Sequence, residues 1–344
     1  MNAPHGSVPI PPFAELIDLA SERLGGKALA ANDEFFAGKE NLLKPEKAVF
    51  IAGKFTDRGK WMDGWESRRC REPGHDWCII KLGLPGVIRG FNIDTAHFNG
   101  NQPEACTVEA VEMPPDVVTE YLLQADVRWT TVLDRTVLGP SAEHLVPANA
   151  GATLKRFTHV RLNVFPDGGV ARLRIYGDVL PDWATIRETG EVIDLASAAN
   201  GGLVVACNDM HFGSRHNLIM PGRAANMGDG WETRRKRGLK GGEHDWAIVR
   251  LGSRGQIAQI EVDTNHFKGN FPDSCMLECC DAPELTVPGP DADWRTLVTR
   301  TKLAADAEHY FKSELHPSGP CTHVRLKIFP DGGVSRLRLF GTLA

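Results

Sequence analysis

HVRLNVFPDGGVARLRIYG, running from His159 to Gly177, returns near the end of the chain as HVRLKIFPDGGVSRLRLFG, from His323 to Gly341. A repeat of this length decides the architecture before any local element is considered, so the rest of the chain is read outward from it. Upstream, DGWESRR (Asp63 to Arg69) recurs as DGWETRR (Asp229 to Arg235), and HDW (His75 to Trp77) recurs at His244 to Trp246. NIDTAHFNGN (Asn92 to Asn101) matches EVDTNHFKGN (Glu261 to Asn270), and Ala142-Glu143-His144 matches Ala307-Glu308-His309. Asn41-Leu42 and Asn217-Leu218 align as well. The offsets drift because insertions fall between fixed blocks. The largest places ten extra residues between Pro45 and Asp63 relative to Pro221 and Asp229. The chain is therefore expected to hold two domains, at 19–185 and 186–344, behind an N-terminal segment of residues 1–18. Their junction lies in the polar, proline-containing stretch Pro181 to Glu191.

Periodicity assigns the class. His159 to Phe165 and Val170 to Tyr176 alternate apolar with polar residues around Pro166-Asp167-Gly168-Gly169, which predicts a β-hairpin. Trp77 to Leu82, Val87 to Asp94 and Ala105 to Val111 are short, β-prone and bounded by Gly, Pro or Asn. Only Phe13 to Ala20 shows helical spacing, with Phe13, Leu16, Ile17 and Ala20 on one face. Many short strands between Gly/Pro turns predict an all-β chain of two antiparallel sandwiches or jelly rolls.

Composition narrows the partners. The 344 residues are 42% hydrophobic with a net charge of −5, and their 39 basic and 44 acidic residues are interspersed. No basic block is available for a phosphate backbone, so nucleic acid is not expected as a partner. No apolar run reaches membrane-spanning length, and Met1 to Pro12 lacks the basic flank and apolar core of a secretory signal. No membrane association is expected, and a cytoplasmic location is. The eight cysteines are read as reduced thiols. Cys106 and Cys275 stand at matching apolar positions, and without any CxxC pair a thiolate zinc site is not expected.

Polar residues that recur in both copies are the functional candidates, because a sandwich needs its apolar alternation but no particular His, Arg or Glu in a loop. Undiverged copies and buried polar networks are the structural alternative. Glu66, Arg68 and Arg69, with Glu232, Arg234 and Arg235 in the second copy, suit a small anion with amide edges. Arginine clamps a carboxylate and glutamate accepts from N–H groups; the alternative is a surface ion pair. His75 and His244 each precede an aspartate, which suggests either an imidazole oriented for proton transfer or a loop hydrogen bond. Asp94, His97, Asn99 and Asn101, matched by Asp263, His266 and Asn270, end a strand and enter a Gly/Asn turn; they form the strongest single candidate. Asp-x-x-His contains metal-ligand types without a defined metal-site spacing, so no cofactor is expected, with dependence on a metal left open. His144 and His159 read as hydrogen-bonded structural histidines.

These duplicated motifs resemble the allantoicase family over nearly the whole chain, from about Leu19 to Gly341. The resemblance implies tandem jelly rolls related to galactose-binding-like sandwiches, a homo-oligomer, and hydrolysis of the substrate allantoate to urea and (S)-ureidoglycolate in purine-derived ureide breakdown. On that footing Arg68 or Arg69, with Arg234 or Arg235, would hold the carboxylate, while Glu66 and asparagines bind the ureido edges. His97, oriented by Asp94, would protonate the leaving nitrogen, and His75 or an acid would deliver water. Two active sites, one, or a composite remain open. A non-catalytic ligand-binding sandwich and a hydrolase of another ureido acid, such as ureidoglycolate, are the competing readings.

Overall fold

The computed structural model describes residues 10–114, 116–237 and 242–344. Most of the Met1 to Pro12 segment, and Gly238 to Lys240 of the second copy, lie outside them. The chain divides into two compact units between Leu180 and Pro181. Each unit is an antiparallel β-sandwich of jelly-roll type built around one 19-residue strand, Asp76–Asp94 in the first and Asp245–Asp263 in the second.

The long strand serves two layers. Its first half, through Lys81, pairs with Lys27–Ala31 on one side and Phe157–Phe165 on the other. Its second half pairs with Arg172–Val179 and Glu143–Pro147, with Asp94 opposite both Arg172 and Glu143. Ala105–Val111 and Thr130–Val137 extend the first layer, and Ile17–Asp18 closes the edge of the second. Asp245–Asp263 repeats the scheme with Cys321–Phe329, Leu203–Cys207, Arg336–Leu343 and Glu308–Phe311. Strands that pass from one layer to the other at a bend are one way a sandwich makes its corners. Inward residues such as Ile80, Ile88, Phe91, Ile93, Cys106 and Leu162 are fully buried, as is Cys275 in the second unit. All eight cysteines are free thiols.

Two local expectations are corrected. Phe157–Phe165 and Arg172–Val179 do not form a hairpin: Asp76–Asp94 pairs with both, so they lie on different stretches of one strand and run the same way. The intervening Gly169–Val170 pairs instead with Trp65–Glu66. Turn chemistry announces a break in a strand, but pairing is decided by whichever strand buries the alternating face. Phe13 to Ala20 is not a helix either. Pro12–Glu15 is a single 3₁₀ turn and Ile17–Asp18 an edge strand against Gly177 and Tyr176. Asp18 Oδ1 accepts from the Ile175 and Ala20 amides, so edge pairing satisfies backbone groups that a short helix would have to cap. A seven-residue helix, Trp183–Thr189, capped by Asp182, occupies the polar junction.

The repeated motifs meet around one aromatic ring. Phe98 is fully buried. A Cβ on Gly169 would lie 1.9 Å from its ring, and one on Gly64 would lie 2.8 Å away. Phe267 has the same relation to Gly333 (1.9 Å) and Gly230 (2.7 Å). Only glycine permits such an approach, which ties the DGW, DTxHF and PDGG segments into one packing unit in each copy.

Candidate functional site

Two polar assemblies flank this packed ring in each unit. The first is a clamp. Arg172, 2% exposed, donates through Nε to the Glu46 carbonyl (2.9 Å), through one terminal nitrogen to the carbonyls of Asp63 (3.0 Å) and Ala171 (2.7 Å), and through the other to Asp63 Oδ2 (2.8 Å). Burial pushes the Asp63 carboxyl up, but the Arg172 guanidinium and the Val49 amide hold it below the usual range. Arg336 repeats the pattern on the carbonyls of Gly222 and Asp229 and on Asp229 Oδ2 (2.9 Å). Each guanidinium thus ties together the two ends of one loop, residues 46–63 or 222–229. These arginines lie inside the duplicated strand motif, where simple alternation hid them as outward-facing polar residues.

Asp94 belongs to this clamp region rather than to His97. Its Oδ1 accepts from the Ala96 amide (2.7 Å), and burial raises its pKa, with Glu143 adding to the rise and Arg172 and Arg174 opposing it. In the second unit the matching region is a cavity of about 420 Å³ lined by Arg223, Glu261, Asp263, Glu308, Tyr310 and Arg338, among others. The carboxylates of Glu261, Asp263 and Glu308 lie within 4.8 Å of one another and are the group among the described residues that could hold a cation. Arg223 already stands before them, 3.5 Å from Asp263 Oδ2 and paired with Glu308. The first unit has Asn92 in place of Glu261, donating to Glu143 Oε2 (3.0 Å).

The second assembly gathers three of the sequence candidates. Glu66 Oε1 accepts from Asn101 Nδ2 at 2.8 Å. Burial raises the Glu66 pKa, opposed by the Asn101 hydrogen bond and the field of the Lys60 ammonium. His97 adopts a left-handed backbone (φ 69°), and its Nε2 lies 3.1 Å from the Ala48 carbonyl, to which the Nε2–H tautomer donates. Its ring sits 5.9 Å from that of Phe50, and the Lys60 ammonium lies 4.6 Å from the centre of the other side of that contact, the Phe50 ring. Glu232 and Asn270 (2.5 Å) and His266, whose Nε2 lies 2.9 Å from the Ala224 carbonyl at φ 70°, reproduce the core of this arrangement. Lys60 comes from the loop insertion, whose length was legible in the sequence but whose destination was not.

The remaining candidates are placed elsewhere. Arg68 is exposed and engaged by Asp33, through Nε (2.7 Å), a terminal nitrogen (2.6 Å) and its backbone amide (2.9 Å). Burial pushes Asp33 up, but the Arg68 and Phe35 amides and the Arg68 guanidinium hold it low. The Arg234 amide meets Asp209 in the same way, and its guanidinium reaches His211 (3.0 Å). Arg69, Arg235 and Asn99 are exposed. His75 stacks on Phe165 (4.9 Å) and His244 on Phe329 (5.3 Å). Neither is oriented by the following aspartate, since Asp76 accepts from Asn32 and Asp245 from Asn208 and Lys236. His144 bridges the Gly139 amide and the Ile93 carbonyl, and burial pushes His159 down to about 4.

The family model described as allantoicase repeat matches residues 17–180 and 193–344. A protein named probable allantoicase 1 from Burkholderia mallei is 48% identical, covering 95% of this chain and 94% of its own length. An allantoicase from Dictyostelium discoideum is 46% identical over 95% of this chain and 87% of its own. A crystal structure of allantoicase from Saccharomyces cerevisiae superposes with a TM-score of 0.80 at 39% identity, covering 94% of this chain and 92% of that one. With two repeats matched across both structural units, the chain belongs to the allantoicase family.

Proposed function

We propose that the chain is an allantoicase, hydrolysing allantoate to urea and ureidoglycolate in ureide breakdown. The observation that carries the chemistry is the half-buried Glu66 carboxyl, with its raised pKa, beside the Asn101 amide. Allantoate presents one carboxylate and two ureido groups on a single carbon, so it needs a cation, amide partners and a proton donor in one small site. Glu66 is the proton donor in this reading. As it protonates the departing urea nitrogen, the other ureido nitrogen supplies electron density and the C–N bond breaks to an acylimine-like intermediate. Water then adds its hydroxyl to that carbon and returns a proton to Glu66, giving ureidoglycolate. Asn101 orients the ureido edge. His97, occupied by the Ala48 carbonyl, acts as a positioning residue for the loop rather than as the acid first expected of it. Neighbouring Arg69 and Asn99 are exposed and available to the ligand's outer edge.

No described helix is long and apolar enough to cross a membrane. The direct test is urea release by the purified chain from allantoate, run with and without a chelator. Prompt release is expected. Binding without release would favour the ligand-binding reading instead, and faster turnover of ureidoglycolate than of allantoate would move the reading to another ureido acid.

A further inference from the structure

The two units keep the same loop clamp but not the same loop. Between the anchors of Arg172 the first unit inserts a short β-pair, Phe55–Thr56 against Gly59–Lys60, whereas the second spans the matching gap with Gly222 to Gly228. The insertion places a cation beside the Glu66–Asn101 pair. Lys60 is seated on Phe50, Phe50 packs against His97, His97 and Asn101 share one loop, and Asn101 donates to Glu66, whose carboxyl lies within the field of the Lys60 ammonium. In the second unit the short loop puts Met227 Sδ 3.3 Å from Asn270 Nδ2, and its one cation, Arg223, is paired with Glu308 and Asp263. Among the described residues, the clamped loop of the second unit therefore offers the Glu232–Asn270 pair no cation placed as Lys60 is.

We infer that Lys60, presented by the inserted β-pair, is the carboxylate-binding and specificity-determining residue, and that the first unit alone carries the working site. The inference rests on the allantoicase reading and adds which unit acts and what selects an acid over a neutral ureide. An ammonium held by cation–π contact keeps its charge and its three donors while its stem is restrained. Asn101 donates to Glu66 through Nδ2 and turns its Oδ1 to a ureido N–H, with the Glu66 carboxyl at the departing nitrogen, so the anionic end of the ligand is directed to Lys60.

Full-length wild type, Lys60→Met and Lys60→Arg are compared on allantoate and on its methyl ester, with titration by ureidoglycolate. Lys60→Met is expected to raise KM for allantoate on the order of tenfold to a hundredfold, the scale of a lost charged hydrogen bond. The ester is expected to be insensitive to it, and Lys60→Arg to recover most of the loss. One ureidoglycolate site per chain is expected. An active wild type with unchanged KM in Lys60→Met, an equal loss on the ester, or two equivalent sites per chain would overturn this inference and leave the allantoicase reading standing. A wild type that releases no urea would overturn that reading, and the inference with it.

Discussion

Replacing Arg172 by Met would cut the clamp at its centre. The side chain is 2% exposed and Asp63 is 7% exposed, so the substitution leaves a buried carboxylate facing an apolar thioether. Three carbonyls, those of Glu46, Asp63 and Ala171, lose their guanidinium donors at the same time. Breaking one partner of a buried ion pair costs about 3–5 kcal/mol, which at about 1.4 kcal/mol per decade is roughly two to nearly four powers of ten in the opening equilibrium. Amide hydrogen exchange along Asp76–Asp94, the strand that carries both layers, should accelerate by that factor at pH 7. The pH dependence follows from Asp63. Its folded pKa is depressed, so its stabilising contribution is present above the unfolded value near 4 and is lost as pH falls through the folded value. Without Arg172 the burial cause remains, the charged form is disfavoured, and the penalty of the variant should shrink as pH is lowered toward 4. An acceleration below tenfold at pH 7, or a penalty that grows on acidification, would refute the clamp argument.

Glu66→Gln should lower kcat by ~10²–10⁴ while leaving the fold intact, the usual scale of a general acid. Because burial raises the Glu66 pKa, wild-type kcat should fall as pH rises through that raised value, and a profile rising there would count against the acid role. His97→Gln keeps a donor for the Ala48 carbonyl and should change KM more than kcat; a hundredfold loss of kcat would return the acid role to His97. Gly169→Ala brings a methyl to 1.9 Å from Phe98 and should destabilise the first unit by about 1–3 kcal/mol, read by chemical denaturation. An unchanged midpoint would mean that the three motifs are not packed as tightly as the geometry states.

Much was legible before any coordinates because it is written as period and repetition. Duplicated motifs identify two units, alternation identifies strands, and the family resemblance follows from motifs long enough to be specific. Three of the grouped candidates, Glu66, His97 and Asn101, are residues singled out for recurring in both copies. Pairing was not legible. Whether Arg172–Val179 lies beside Phe157–Phe165 or beside Asp94 depends on which long-range neighbour buries its apolar face, and alternation is the same for either. Nor was the division of labour among arginines. Arg68 and Arg172 look equally polar in the sequence, yet one is an exposed partner of Asp33 and the other a buried loop clamp. Charge and spacing along the chain determined the inventory of polar groups, the repeat and the all-β class. Only the tertiary structure decided which groups are desolvated and already satisfied and which, like Glu66 and Asn101, come together from segments that sequence distance keeps apart. Burial and hydrogen-bond satisfaction are properties of the packed chain, not of a residue's own chemistry.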